Sequence, residues 1–411
     1  MGWLKIMRGR DGRRKPSWRA EAAQDRRWRE MHAVAQALRD SRRPQHALWE
    51  RIVASLEDRD FVAIGAADGL LAEAPPEALA GHADRLAAFL RRYRQADAYG
   101  PSITASVLIA LAGLGDRRAL PLLTARLADH SHHFIHEEFA PALARLPVQE
   151  LLPRVRTRLR LAPGHYGHAT AVALLGLWGP AAAPAVPEVV PLLDGGYARA
   201  ACEVLGRIGP GAVAAADVLA GHARGHTRPG LPVPPGAPNP WHGRQSAAWA
   251  HWQVTGDDGL ALEVCGSFAR KGLGGPVLRY VGDLCPAAAA YVDDVRALLD
   301  APGAWTRVEA AHALWRITGD PGPSVPVLVR ELAPLREASL TDPAEAAVRH
   351  LGEIGAPAAA AAPLLRELYA DGRRATHRSG RRILCDERLR RSLETALGGI
   401  EKNGERADRT T

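Results

Sequence analysis

Apolar residues recur at helical spacing along most of the chain and stop at a breaker, and the stop returns about every thirty residues. With the breaker as position zero, an apolar residue stands at −1 and at −4. Small or apolar residues stand at −7 and −8, so the four share one helix face. Eight sites fit. Their −4, −1 and 0 residues are Leu111-Leu114-Gly115, Leu143-Leu146-Pro147, Leu175-Trp178-Gly179, Leu205-Ile208-Gly209, His251-Val254-Thr255, Val281-Leu284-Cys285, Leu314-Ile317-Thr318 and Leu351-Ile354-Gly355. The −8 and −7 pairs, such as Ala171-Val172, Ala201-Cys202, Ala247-Ala248, Ala310-Ala311 and Ala347-Val348, are small enough for a second helix to come close. After each stop another apolar-periodic stretch begins. In several copies a proline marks it (Pro121, Pro153, Pro187, Pro326, Pro363), which suits a first helical turn. Two stops share a longer match, Trp252–Asp257 and Trp315–Asp320. Each unit therefore reads helix, turn, helix. One such pair cannot bury its own apolar faces, and stacked pairs share a core.

The runs Ala201–Gly209, Glu309–Ile317 and Ala346–Gly355 resemble HEAT repeats, most nearly the short bacterial kind first described in phycobilisome lyases. The resemblance implies an all-α fold: an α-α superhelix (ARM/HEAT-type solenoid) of about nine helix pairs. Helices packed about 8–10 Å apart would make an open stack on the order of 80–90 Å long. The second helices are expected to line its concave face. A fold of this kind specifies no activity.

The repeats divide the chain. Residues 101–372 form the expected solenoid and 30–100 an N-terminal helical cap, whose first helix is expected to bury Trp28. A C-terminal capping helix follows in 373–402. Residues 1–29 read as a basic, largely disordered segment and 403–411 as a disordered tail. The longest step between stops coincides with 226–240, which carries Pro229, Pro232, Pro234, Pro235, Pro238 and Pro240 and reads as an extended surface loop inserted in the array. His251 holds a core position where other copies have Leu or Val, and reads as a buried neutral imidazole with a hydrogen bond.

Charge changes the picture less than its total suggests. The net charge is +8, and only four of the 53 basic residues are lysines (Lys5, Lys15, Lys271 and Lys402). Together with the many alanines and glycines, this is the usage of a GC-rich, bacterial genome. Residues 1–29 carry +7 and 373–411 carry +5, around a body of −4. The nucleic-acid reading therefore rests on the ends. Arg8, Arg10, Arg13, Arg14 and Lys15, interleaved with Trp3 and Trp18, are the candidates for binding a nucleic acid or an anionic surface. Arg154, Arg156, Arg158 and Arg160 read as a solvated helix face.

The four cysteines are at least twenty residues apart, with no CxxC pair, and read as buried free thiols. The N-terminus lacks an apolar signal core, and the most apolar stretch, Ala169–Leu193, is interrupted by prolines. A cytoplasmic monomer without membrane insertion is expected. His130, His132, His133 and His136 with Glu137 form the densest set of possible metal ligands, and His132, His136 and Glu137 are the candidates. HEAT-repeat di-iron hydroxylases place His-Glu pairs at the starts of several repeat helices, whereas only His136-Glu137 has that form here. No phosphate loop, Ser-His-Asp order or HExxH is present, and no cofactor is implied. The expectation is a non-enzymatic scaffold that binds a protein or peptide partner on the concave face of the solenoid. The alternatives are a nucleic-acid-associated protein using its basic termini and a lyase-like enzyme.

Overall fold

The computed structural model describes residues 18–43, 45–57, 69–92, 101–128, 136–161, 167–225, 240–273, 275 and 278–408. Among these the fold is all-α, with two isolated bridges as the sole β pairing. The N-terminal elements are α1 (Trp18–Asp40), α2 (His46–Ala54), α3 (Leu70–Glu73), α4 (Pro76–Leu79) and α5 (Ala83–Arg92). Helix pairs follow: α6 (Pro101–Gly113) with α7 (Leu120–Ala128), α8 (Ala140–Leu143) with α9 (Val148–Leu159), and α10 (His168–Trp178) with α11 (Val186–Val189). Next come α12 (Ala198–Ile208) with α13 (Ala216–Ala223), α14 (Pro240–Thr255) with α15 (Gly259–Arg270), and α16 (Arg279–Asp283) with α17 (Val292–Ala297). Helix α18 (Ala304–Thr318) precedes α19 (Ser324–Arg330) and α20 (Ala333–Arg336). Helices α21 (Asp342–Ile354), α22 (Ala362–Ala370) and α23 (Arg382–Asp408) complete the chain.

All eight stops fall at or just past the end of a first helix. Except at Pro147, whose φ is −58°, a left-handed residue turns the chain out of the helix. Gly115, Gly179, Gly209 and Gly355 supply it at position zero. In the two Trp-x-x-Thr-Gly-Asp copies the stop moves one residue on, to Gly256 and Gly319. There the Thr255 and Thr318 hydroxyls donate to the carbonyls of His251 and Leu314 (2.8 and 2.7 Å), and each accepts from the Asp amide two residues later. Cys285 adopts a φ of 49° without being glycine. The helix following a stop is often entered through a 3-10 turn, as at Gly179–Ala185, Gly209–Ala215 and Cys285–Tyr291. Pro153 departs from the expected pattern and sits inside α9, which starts at Val148.

The −7 and −8 residues are buried in every quoted pair. Helix backbones approach closely at Gly282, where a Cβ would lie 2.8 Å from Ala313 Cα, and at Gly352, where it would lie 2.7 Å from Ala396 Cα. Two stretches, His168–Asp194 and Ala198–Ala223, are long and apolar enough to cross a membrane by length and composition, and both contribute to this core.

The ends, expected at opposite extremities of a rod, meet. Consecutive first helices contact one another from α6 through α8, α10, α12, α14, α16, α18 and α21 to α23, and α23 then contacts α3 and α1, with α3 against α6. The row of helices returns to its start. Asp386 of α23 is completely buried, and its carboxylate accepts from Arg42 Nε (3.0 Å) and Nη2 (2.6 Å), Arg374 Nη1 (3.1 Å) and the Ala375 amide (2.9 Å). Arg374 Nε donates in turn to the carbonyls of Leu38 and Ser41. Glu73 Oε2 accepts from the amides of Ile383 (3.1 Å) and Leu384 (3.4 Å) at the α23 N-terminus. Helix α1 begins inside the segment expected to be disordered, and α23 runs through 403–408, expected as a tail. Trp28, expected in the core, is half exposed and stacks on His32 at 3.9 Å.

Candidate functional site

Most of the residues singled out for binding fall outside the described structure or stay apart in it. Arg8, Arg10, Arg13, Arg14, Lys15, His130, His132 and His133 lie outside the described residues, as does 226–239 of the proline-rich segment. His136 is exposed and caps the 3-10 turn before α8, its Nδ1 accepting from the Glu138 amide at 3.3 Å; Glu137 is also exposed. The arginine run of α9 is not a uniform solvated face. Arg158 is completely buried, while Arg156 and Arg160 both bond Glu188 of the next repeat. Burial opposes ionisation of Glu188, but the two guanidiniums outweigh it and lower its pKa. His251 is half buried, and its Nδ1 lacks the expected hydrogen bond. Cys202, Cys265 and Cys385 are buried free thiols, and burial pushes Cys202 and Cys265 up to about 12; Cys285 is half buried.

The chemistry gathers elsewhere, on the first helices and not the second. It follows two positions, −6 and −2. In the first three repeats these hold Ile109 and Gly113, Pro141 and Arg145, and Ala173 and Leu177. In the next five they hold Glu203 and Arg207, Trp249 and Gln253, Arg279 and Asp283, His312 and Arg316, and Arg349 and Glu353. These residues link one repeat to the next or, for Glu203, to the one beyond it. Glu203 accepts from Arg279 (2.6 Å) and the Tyr280 hydroxyl (3.0 Å), and Trp249 Nε1 donates to Asp283 (3.0 Å). Burial raises the pKa of Asp283, and burial with the Glu203 charge raises that of Tyr280. Arg316 Nη2 lies 3.1 Å from the Cys285 Sγ at the strained stop.

His312 and His350 stack with ring centroids 3.7 Å apart and planes 12° apart, between Glu309 and Glu353. Burial lowers the pKa of His312. Burial works the same way on His350, but Glu309 and Glu353 outweigh it and hold its pKa above the usual value. Glu353 is also partly buried, yet the two imidazoles hold its carboxyl well below the usual range.

Where the ends meet, a cavity of about 620 Å³ opens between α3, α6 and α8 on one side and α21 and α23 on the other. Its size suits a small ligand or the side chains of a short peptide. The wall from the first repeats is mostly apolar, with Ile109, Phe139 and Pro141, though Glu73, Glu138 and Arg145 also border it, and the facing wall is charged, with Arg349, Glu353, Glu387, Arg388 and Arg391. Arg388 is paired with Glu345, and Glu353 with His312. Arg349 and Arg391 are exposed and have no ion-pair partner among the described residues. Two cations therefore border a mostly apolar chamber. Arg349 and Glu353 stand at −6 and −2, where the repeat requires no apolar residue, and Arg388 and Arg391 lie on α23, outside the eight repeats.

Comparison with known proteins leaves the chain without a family. No family model matches it, and no curated protein matches it. Among solved structures it is similar to the crystal structure of an engineered protein, at 16% identity over 97% of this chain and 98% of that one, with a TM-score of 0.38. A likeness that loose supports no functional argument.

Proposed function

We propose that this protein is a non-enzymatic interaction scaffold of the HEAT-repeat type, acting as a cytoplasmic monomer, and that it grips a protein or peptide partner at the cavity where its ends meet. The observation that carries the reading is the pairing of an apolar wall with two uncompensated arginines, Arg349 and Arg391. A guanidinium without an ion-pair partner favours a carboxylate ligand, and the wall beside it favours an aliphatic or aromatic side chain. The partner segment is therefore acidic with adjacent apolar residues.

The test is fluorescence anisotropy of the full chain with labelled peptides in which one acidic residue is flanked by apolar ones, against the same peptides carrying Lys in place of the acid. The acidic series binds and the Lys series does not. The Arg349→Glu/Arg391→Glu variant weakens acidic-peptide binding by at least about tenfold, equivalent to about 1.4 kcal/mol. Equal binding of both series, or affinity unchanged by the double reversal, would overturn the reading.

A further inference from the structure

We propose that Glu309, His312 and His350, with Glu353 beside them, bind one divalent transition-metal ion of the zinc class. The argument starts from spacing. Glu309-x-x-His312 on α18 and His350-x-x-Glu353 on α21 each place two ligands on one helix face, three residues apart. Helices α18 and α21 are neighbouring first helices and pack together, so the two faces meet. One ligand atom from each of Glu309, His312 and His350 lies within 4.8 Å of the others, and Glu353 Oε2 is 2.7 Å from His312 Nε2 and 3.7 Å from His350 Nδ1. Ligands at about 2.0–2.2 Å from a tetrahedral zinc stand about 3.5 Å from one another. Turning the two imidazoles out of their parallel stack would aim one nitrogen of each at a shared ion.

A second observation points to a ligand independently. Glu309, His312 and His350 are 4%, 6% and 5% exposed. Within this buried cluster Glu309 Oε2, His312 Nδ1 and both ring nitrogens of His350 have no hydrogen-bond partner in the protein. Buried polar atoms are almost always satisfied, and four unsatisfied ones within a single contact are unusual. Each of the three residues can give one donor atom to an ion. Two imidazoles and two carboxylates form a nitrogen-and-oxygen set that suits zinc, and two anionic ligands match its charge. An ion has a route in, because Glu353 also borders the 620 Å³ cavity. The site stands apart from His136-Glu137, which is exposed on another repeat, and it holds whether or not the cavity takes a peptide.

The test strips the purified full chain with chelator, dialyses it against zinc and measures bound metal by elemental analysis, with the visible absorption of the cobalt-loaded protein as a second readout. One ion per chain is expected, with the absorption of tetrahedral cobalt. His350→Ala and the nearly isosteric Glu309→Gln each weaken binding by more than about 100-fold, since even second-layer partners of a metal cost about 10–100-fold. His136→Ala leaves binding unchanged. Glu309→Gln keeps the test decisive if His350→Ala fails to fold, which circular dichroism would reveal. Uptake well below one ion per chain, affinity unmoved by Glu309→Gln, or uptake abolished by His136→Ala would each overturn the proposal.

Discussion

The closure and the junctions between repeats both hold helices together, with a different balance of apolar and polar contact. At a junction the contact is small and apolar: Gly282 against Ala313, Gly352 against Ala396, with buried alanines at −7 and −8. At the closure the contact is a buried carboxylate, Asp386, shared by Arg42 and Arg374. Neighbouring repeats are kept close by the chain itself, so apolar burial with good fit carries most of the junction and polar links add to it. The ends have no such tether. Arg42 and Asp386 are 344 residues apart, and directional bonds select one register among many apolar alternatives.

Removing the carboxylate tests this contrast most severely. Asp386→Ala leaves two buried guanidiniums without their shared partner and should cost about 3–5 kcal/mol, read from urea unfolding. A loss below about 1 kcal/mol would place the strength of the closure in its apolar contacts. Next is the junction itself. Gly352→Val forces α21 from α23 and should cost about 1–3 kcal/mol by the same measurement.

Glu73 sharpens the comparison through pH. Burial raises its pKa, outweighing the Leu384 and Ile383 amides. The folded state thus binds its proton more tightly than the unfolded chain does. Its stabilising contribution is present below the unfolded carboxyl range and is lost as pH rises through the raised folded value. Glu73→Gln should therefore gain stability over the native chain as pH rises toward neutrality and lose that advantage in acid, by less than either change above; paired melts across pH would show it. The smallest effect belongs to a pair serving neither device. Arg366 and Glu401, both largely exposed, are 2.9 Å apart, and Arg366→Ala should shift stability by no more than about 0.5 kcal/mol.

The helix pairs were legible because their constraint is local. An apolar −1 and −4 with small −7 and −8 fixes a helix face, and the turn after it takes a left-handed residue in all but the Pro147 copy, so the stops land at helix ends. Trp28 and Pro153 misled because one residue's burial or position depends on neighbours the pattern does not name. The closure was hidden for a stronger reason. It depends on small rotations accumulated from repeat to repeat, and its partners Arg42, Arg374 and Asp386 carry no periodicity. The −6 and −2 column was visible in principle as the change from Ile109, Pro141 and Ala173 to Glu203, Trp249, Arg279, His312 and Arg349. It was passed over because the repeats were aligned on what they bury and not on what they vary.

The return of the helix row to its start also alters how the molecule comes apart. In an open array the terminal units have one neighbour each, so they fray first and the middle melts later. Here α23 has α21 on one side and α3 on the other. Opening must break either the Asp386 cluster or a junction between repeats before any unit has a free flank, so unfolding should be more cooperative than in an open array. The same circularity fixes the size of the array: adding or removing one helix pair, tolerable in an open stack, would leave the two ends out of register.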